Sequence, residues 1–287
     1  MGKNRKNSYS PLTLKENRDS KDIRMQMAFL NNGWDDPTEL IDACADNKIK
    51  IGEITKEYVI LEMDDGTKLK MTSAFYDKYR ATEIKYASLN EMFEKLNEIP
   101  SLFRHDLNEI KFDYIPNWRK SYWNRGNIFI NAHFLENPRN DDMFIIGTII
   151  HEHAHNLDLM KKGITEETPM EKVLKDGFTN NDKFKKLISK KDVSEYSQGY
   201  GEKNDPRYAT ESFADLMEIV GKARIYGENR IEASILVKEY NEKTGKYDEK
   251  TVGYIEWAKT HKELAEFGNK IWDAETLEDV EKAFNDL

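Results

Sequence analysis

The rhythm of apolar and polar positions changes several times along the chain, and each change predicts an element. KIKIGEI, YVILEM and KLKMTSAF (48–54, 58–63 and 68–75) are short runs that read as strands. The last two flank Asp64-Asp65-Gly66-Thr67, whose Asp-Gly pair signals a hairpin. A short helix is expected at 37–46 (PTELIDACAD), so 23–86 reads as a small β-rich module with helical edges. From Leu89 the period lengthens: Leu89, Met92, Phe93 and Leu96 recur three and four apart, as on one helix face. Strands are expected at 110–115 and 127–134, and helices at 143–162, 170–176, 182–190 and 206–220. Asp205 and Pro206 suit the start of that last helix, and Gly221 its end. RIEASILVKEY and TVGYIEWA straddle Lys243-Thr244-Gly245-Lys246 as a second hairpin, and two amphipathic helices, near 258–271 and 275–285, close the chain. Residues 1–22 are polar with little periodicity and are expected to be disordered. The expected class is α+β, with a domain over 87–225 between the β-rich module and a C-terminal extension (226–287) of hairpin plus helices.

Composition removes several classes. At 287 residues the chain can bury a proper core, yet 34% of it is charged and no run approaches a membrane span. The basic N-terminus has no apolar core behind it, so no secretory signal is expected, and no membrane partner. Ser8 comes too late for a myristoylation pattern. A net charge of −9 argues against a general affinity for nucleic acid. Cys44 is the single cysteine, which rules out internal disulfides and thiolate-built zinc sites. A metal would have to be held by imidazole and carboxylate. A cytoplasmic or virion-associated location fits these features.

The chemistry concentrates in TIIHEHAHNLD (148–158), which holds three of the chain's six histidines. His151-Glu152-His153-Ala154-His155 contains H-E-x-x-H. On a helix, residues four apart lie roughly 40° apart around the axis and one turn along it. His151 and His155 can therefore offer two nitrogens to one Zn²⁺, with Glu152 placed to act as base on its water. The apolar run FIIGTII just upstream argues that this helix is buried. His153 falls on the other side, with Ile146, Ile149, Leu157 and Met160, and reads as structural. Asp158 returns to the metal-facing side, but the helix rise carries it past an ion, so it is expected to support the site rather than ligate.

A third ligand is expected from ATESFADLMEIV (209–220), where Glu211 and Asp215 share a helix face. Glu211 is assigned as ligand, and Asp215 as the carboxylate that orients a ligating imidazole through its other nitrogen.

H-E-x-x-H followed by an E-x-x-x-D helix resembles the gluzincin metallopeptidases. The wording VSEYSQGY…ATESFADLM is closer to the lethal-factor-type and Pro-Pro endopeptidase-type catalytic domains, which include related phage head-protein domains. Ser194, Tyr196, Glu211, Phe213, Ala214 and Asp215 carry the resemblance, which covers roughly 89–225. It implies a zincin-like domain with a helical active site and a small mixed sheet. It further implies zinc-dependent hydrolysis of a peptide or protein substrate, with a tyrosine hydroxyl stabilising the oxyanion. Tyr196 matches that tyrosine, although it lies fifteen residues before Glu211, farther than in the family, and Tyr200 and Tyr208 are alternatives. NIFINAHF (127–134) resembles the edge strand on which such enzymes bind substrate; His133 then either lines the cleft or is a strand-end histidine at the surface. Two other readings stay open: a structural or phage-head assembly protein using a zincin fold without catalysis, its flanking modules binding a partner, and a toxin or effector protease.

Overall fold

The computed structural model describes residues 20–82, 88–115, 121–131, 142–160, 164–165, 167–190, 193, 205–228, 235–241 and 246–287. Helices α1 (Ser20–Asn31) and α2 (Thr38–Asp46) precede an antiparallel run of β1 (Lys50–Ile54), β2 (Tyr58–Glu62) and β3 (Lys68–Thr72). The Asp-Gly turn forms as expected. Gly66 takes a φ of +85°, which a glycine adopts without strain, and Asp65 Oδ1 accepts from the Thr67 N–H at 2.9 Å. The residues after β3 are helical, so KLKMTSAF divides into a strand and the start of α3 (Ser73–Ala81). Thr72 makes the division, its hydroxyl accepting from Phe75 N–H as the N-cap.

β4 (Glu109–Asp113) then pairs parallel to β3. Parallel neighbours need a crossover, which α3 and α4 (Leu89–Glu98) supply. α4 opens on a capping box between Ser88 and Glu91 and buries Leu89, Met92, Phe93 and Leu96, the four residues its period singled out. β5 (Tyr122–Asn124) and β6 (Asn127–Asn131) form a hairpin, giving one mixed sheet in the order β1-β2-β3-β4-β6-β5. The sheet crosses the expected boundary at residue 86. Leu61, Leu69, Ile110 and Ile128 lie in register across it and are fully buried, as are Val59, Met71 and Ile130; Phe112 beside them is nearly so. These residues define the face against which helices pack.

The expected edge strand needs correction. β6 is flanked by β4 on one side and β5 on the other, so among the described residues the edge belongs to β5. A three-residue strand has too little pattern to be read from sequence.

The second layer is built on α5 (Asp142–Leu159) and α8 (Pro206–Tyr226), with α6 (Met170–Asp176) and α7 (Asp182–Lys190) between them in sequence. Asp205 caps α8 by accepting from the Arg207 N–H at 2.8 Å. Gly221 does not end that helix, contrary to expectation; α8 runs on to Tyr226 and stops at Gly227, whose φ is +87°. Gly221 serves close packing instead. A Cβ there would stand 2.5 Å from the Trp272 ring and 2.9 Å from Ile150 Cδ1. A Gly221→Ala protein is therefore expected to lose about 1–3 kcal/mol, the cost of overpacking, measurable by thermal or denaturant unfolding.

At the C-terminal end, β7 (Ile235–Asn241) and β8 (Lys246–Val252) pair antiparallel as the second hairpin, followed by α9 (Tyr254–Thr260), α10 (Lys262–Trp272) and α11 (Leu277–Asn285). TVGYIEWA is thus not a strand: β8 ends at Val252 and the remainder turns helical. Tyr254 and Trp257, three apart, are both buried, a helical spacing that the aromatic, strand-favouring composition masked. No helix among the described residues is long and apolar enough to cross a membrane.

Candidate metal centre

α5 and α8 pack along facing stripes. On α5 the stripe is Gly147, His151 and His155, each four residues from the last; on α8 it is Glu211, Asp215, Glu218 and Lys222, spaced four, three and four. Both repeats keep one side of a helix turned toward the other element.

The two stripes meet in a tight group of donors. His151 Nε2 lies 3.2 Å from Glu211 Oε2 and 3.2 Å from His155 Nε2, and His155 Nε2 is 3.5 Å from the same carboxylate oxygen. Atoms bound about 2.0–2.1 Å from a tetrahedral zinc stand roughly 3.3–3.4 Å from one another, so this triangle has the dimensions that such an ion requires. The chemistry of the set agrees. Two imidazole nitrogens facing each other at 3.2 Å cannot both present lone pairs without repulsion, unless a proton or a cation lies between them. His151, His155 and Glu211 could therefore hold a metal ion.

Electrostatics bind the group together even without an ion. Burial disfavours charge on His151, but hydrogen bonds with Asp215 and Glu211 outweigh it and hold its pKa well above the ordinary histidine value. Burial likewise opposes ionisation of Glu211, yet hydrogen bonds with His151 and His155 pull its carboxyl down to about 2. Asp215 Oδ1 lies 3.3 Å from His151 Nδ1, on the side of the ring away from Glu211. That contact fixes which nitrogen faces the other donors.

Glu152 sits beside the triangle, 6% exposed. Burial raises its pKa, His151 and His155 oppose the shift, Glu211 adds to it, and a hydrogen bond from the Trp123 backbone N–H counters it. Asn156 holds Trp123, on β5, in place. Its Oδ1 accepts from Trp123 Nε1 at 3.0 Å, while its Nδ2 donates to the Phe103 and His105 carbonyls, both at 3.0 Å. The strand edge is thus tied to the same helix that carries the histidines. Asn156 was missed from sequence, and nothing in its local pattern could have marked it.

The remaining site candidates fall as follows. His153 is fully buried, donates from Nδ1 to the Ile149 carbonyl at 2.8 Å, and has its pKa pushed down to about 3, first by burial. Asp158 is fully buried, is not one of the three grouped donors, and interacts electrostatically with His155. It accepts from the Thr179 N–H (2.9 Å), the Thr179 hydroxyl (2.8 Å) and the Thr210 hydroxyl (2.6 Å), which ties α5 to α8 and to the 3-10 turn at Phe178–Asn180. Tyr208 is buried in the first turn of α8. Ser194, Tyr196, Tyr200 and His133 lie outside the described residues. Glu218 and Lys222 were not singled out from sequence, although Glu218 follows Asp215 by three and precedes Lys222 by four, on the same stripe.

Comparison of the chain with protein-family models, with curated proteins and with solved structures gives no match.

Proposed function

We propose that the chain is a zinc-dependent endopeptidase of the zincin, gluzincin-like kind, with His151, His155 and Glu211 as ligands and Glu152 as general base. The observation that carries this reading is the donor triangle, in which a carboxylate 56 residues downstream of His155 lies within 3.5 Å of both imidazoles of an H-E-x-x-H turn. When bound, the ion would supply Lewis acidity and bring the pKa of water toward about 7.

The chain's own residues supply the rest. Asp215 keeps His151 in the tautomer that presents Nε2. Glu152 takes a proton from the attacking water and returns it to the leaving amine. Its burial favours this exchange, because a carboxylate of raised pKa is a stronger base near neutral pH. Tyr196 is assigned to donate to the developing oxyanion. Trp123 N–H faces Glu152 rather than β6, and a strand residue's C=O points to the same side as its N–H. With that N–H taken by Glu152, the Trp123 C=O is the group this edge of β5 leaves to an extended peptide beside the base, a contact of the strand-addition kind.

The test combines metal analysis with a proteome-derived peptide library. One equivalent of zinc is expected, along with cleavage that a chelator abolishes and added zinc restores. A protein that takes up no zinc sinks the proposal at its base. One that binds zinc firmly and cleaves nothing reduces the centre to a structural site.

A further inference from the structure

The stripe on α8 does not stop at the donors already described. Glu218 Oε2 lies 3.8 Å from His151 Nδ1, on the same side as Asp215, and Glu218 Oε1 accepts a hydrogen bond from Lys222 Nζ at 2.7 Å. Lys222 is only 6% exposed, and Glu218 is its one hydrogen-bond or ion-pair partner among the described residues. Burying an ammonium is costly unless it is paired. A lysine with no task would extend its long stem to water.

The opposite helix is shaped to admit this pair. Gly147, one turn ahead of His151 on α5, faces it directly. A Cβ at that position would stand 2.7 Å from Glu218 Oε1 and 3.1 Å from Lys222 Cδ. His151, Asp215 and Glu218 also bring three potential ligand atoms within 4.8 Å of one another, which raises the question of a second cation. The Lys222 ammonium, paired with Glu218, already sets one positive charge beside that group.

We infer that Glu218 and Lys222 form a positioning pair for the metal centre, keeping the His151 ring oriented from behind and its surroundings balanced in charge. The inference rests on the reading of His151, His155 and Glu211 as metal ligands. Asp215 and Glu218 both approach the Nδ1 side of one imidazole. Lys222 draws Glu218 toward itself and leaves the closer contact to Asp215. Glu218 in turn neutralises the lysine, which would otherwise repel a divalent ion held by the neighbouring ring.

The test measures zinc affinity by competition with a chromophoric chelator, and the visible spectrum of the Co²⁺-loaded protein, neither of which needs turnover. Glu218→Gln keeps the side-chain shape but strands the lysine charge. It is expected to weaken zinc binding by about 10–100-fold, the usual cost of losing an outer partner of a ligand, and to shift the Co²⁺ bands. The double variant Glu218→Gln/Lys222→Met removes the stray cation and is expected to regain much of that affinity. A purely structural role would lower the melting temperature of the metal-free variants with zinc affinity and Co²⁺ spectrum unchanged, which overturns the inference. A double variant no better than Glu218→Gln overturns the part given to the lysine. If the unaltered protein binds neither ion, the metal reading itself has failed, an outcome distinct from the other two.

Discussion

A Glu152→Gln protein is expected to keep its zinc and lose peptide hydrolysis by at least about 10²–10⁴-fold, the range that a positioned general base contributes. Glutamine matches the shape of glutamate and can still accept from the Trp123 N–H, so the β5 edge should stay where it is. What it lacks is a basic oxygen. The fold has little reason to suffer, since an uncharged amide is easier to bury than a carboxylate at this 6%-exposed position. The measurement is kcat on a cleaved library peptide, with zinc content and melting temperature followed in parallel. Unchanged hydrolysis would refute the base assignment, whereas loss of zinc together with activity would mean that Glu152 helps to hold the ion.

The second large effect concerns the ion itself. Removing the carboxylate in Glu211→Ala takes away one corner of the donor triangle and leaves His155 Nε2 with only His151 Nε2 close by among the contacts that define the centre. Zinc affinity is expected to fall by more than about 100-fold, beyond the upper end of what outer partners cost. Chelator competition and metal content after dialysis are the readouts. Full occupancy would move the third ligand elsewhere. Asp158 is a poor substitute because both its carboxylate oxygens are engaged, Oδ1 by the Thr179 N–H and Oδ2 by the hydroxyls of Thr179 and Thr210. Asp215 is no substitute either, because it meets His151 at Nδ1, on the side of the ring away from the triangle.

These predictions depend on features of unequal visibility. The period of Leu89, Met92, Phe93 and Leu96 marked α4 because helical spacing and burial are coupled locally. The Asp-Gly turn and the Asp205 cap were visible for the same reason: each is settled by a few neighbouring backbone groups. Gly221 misled because glycine has two uses. It can end a helix through its backbone freedom, or sit inside one where another side chain presses close, and the Trp272 ring that decides the matter lies 51 residues away. β5 was invisible because three residues carry no period. The pairing of Glu218 with Lys222 showed only a helical spacing, common on solvated faces; its burial depends on the room left by Gly147.

The sequence by itself determined what lies within one element: two histidines and a glutamate on one turn of α5, and Glu211 with Asp215 on one face of α8. Backbone periodicity dictates those relations wherever the helices go. Only the tertiary structure decided that the two stripes face each other closely enough for Glu211 to approach both imidazoles, that Thr179 and Thr210 engage Asp158, and that among the described residues β5 rather than β6 is the sheet edge beside Glu152. Distances between elements follow from how their side chains pack, and packing is a property of all the partners at once.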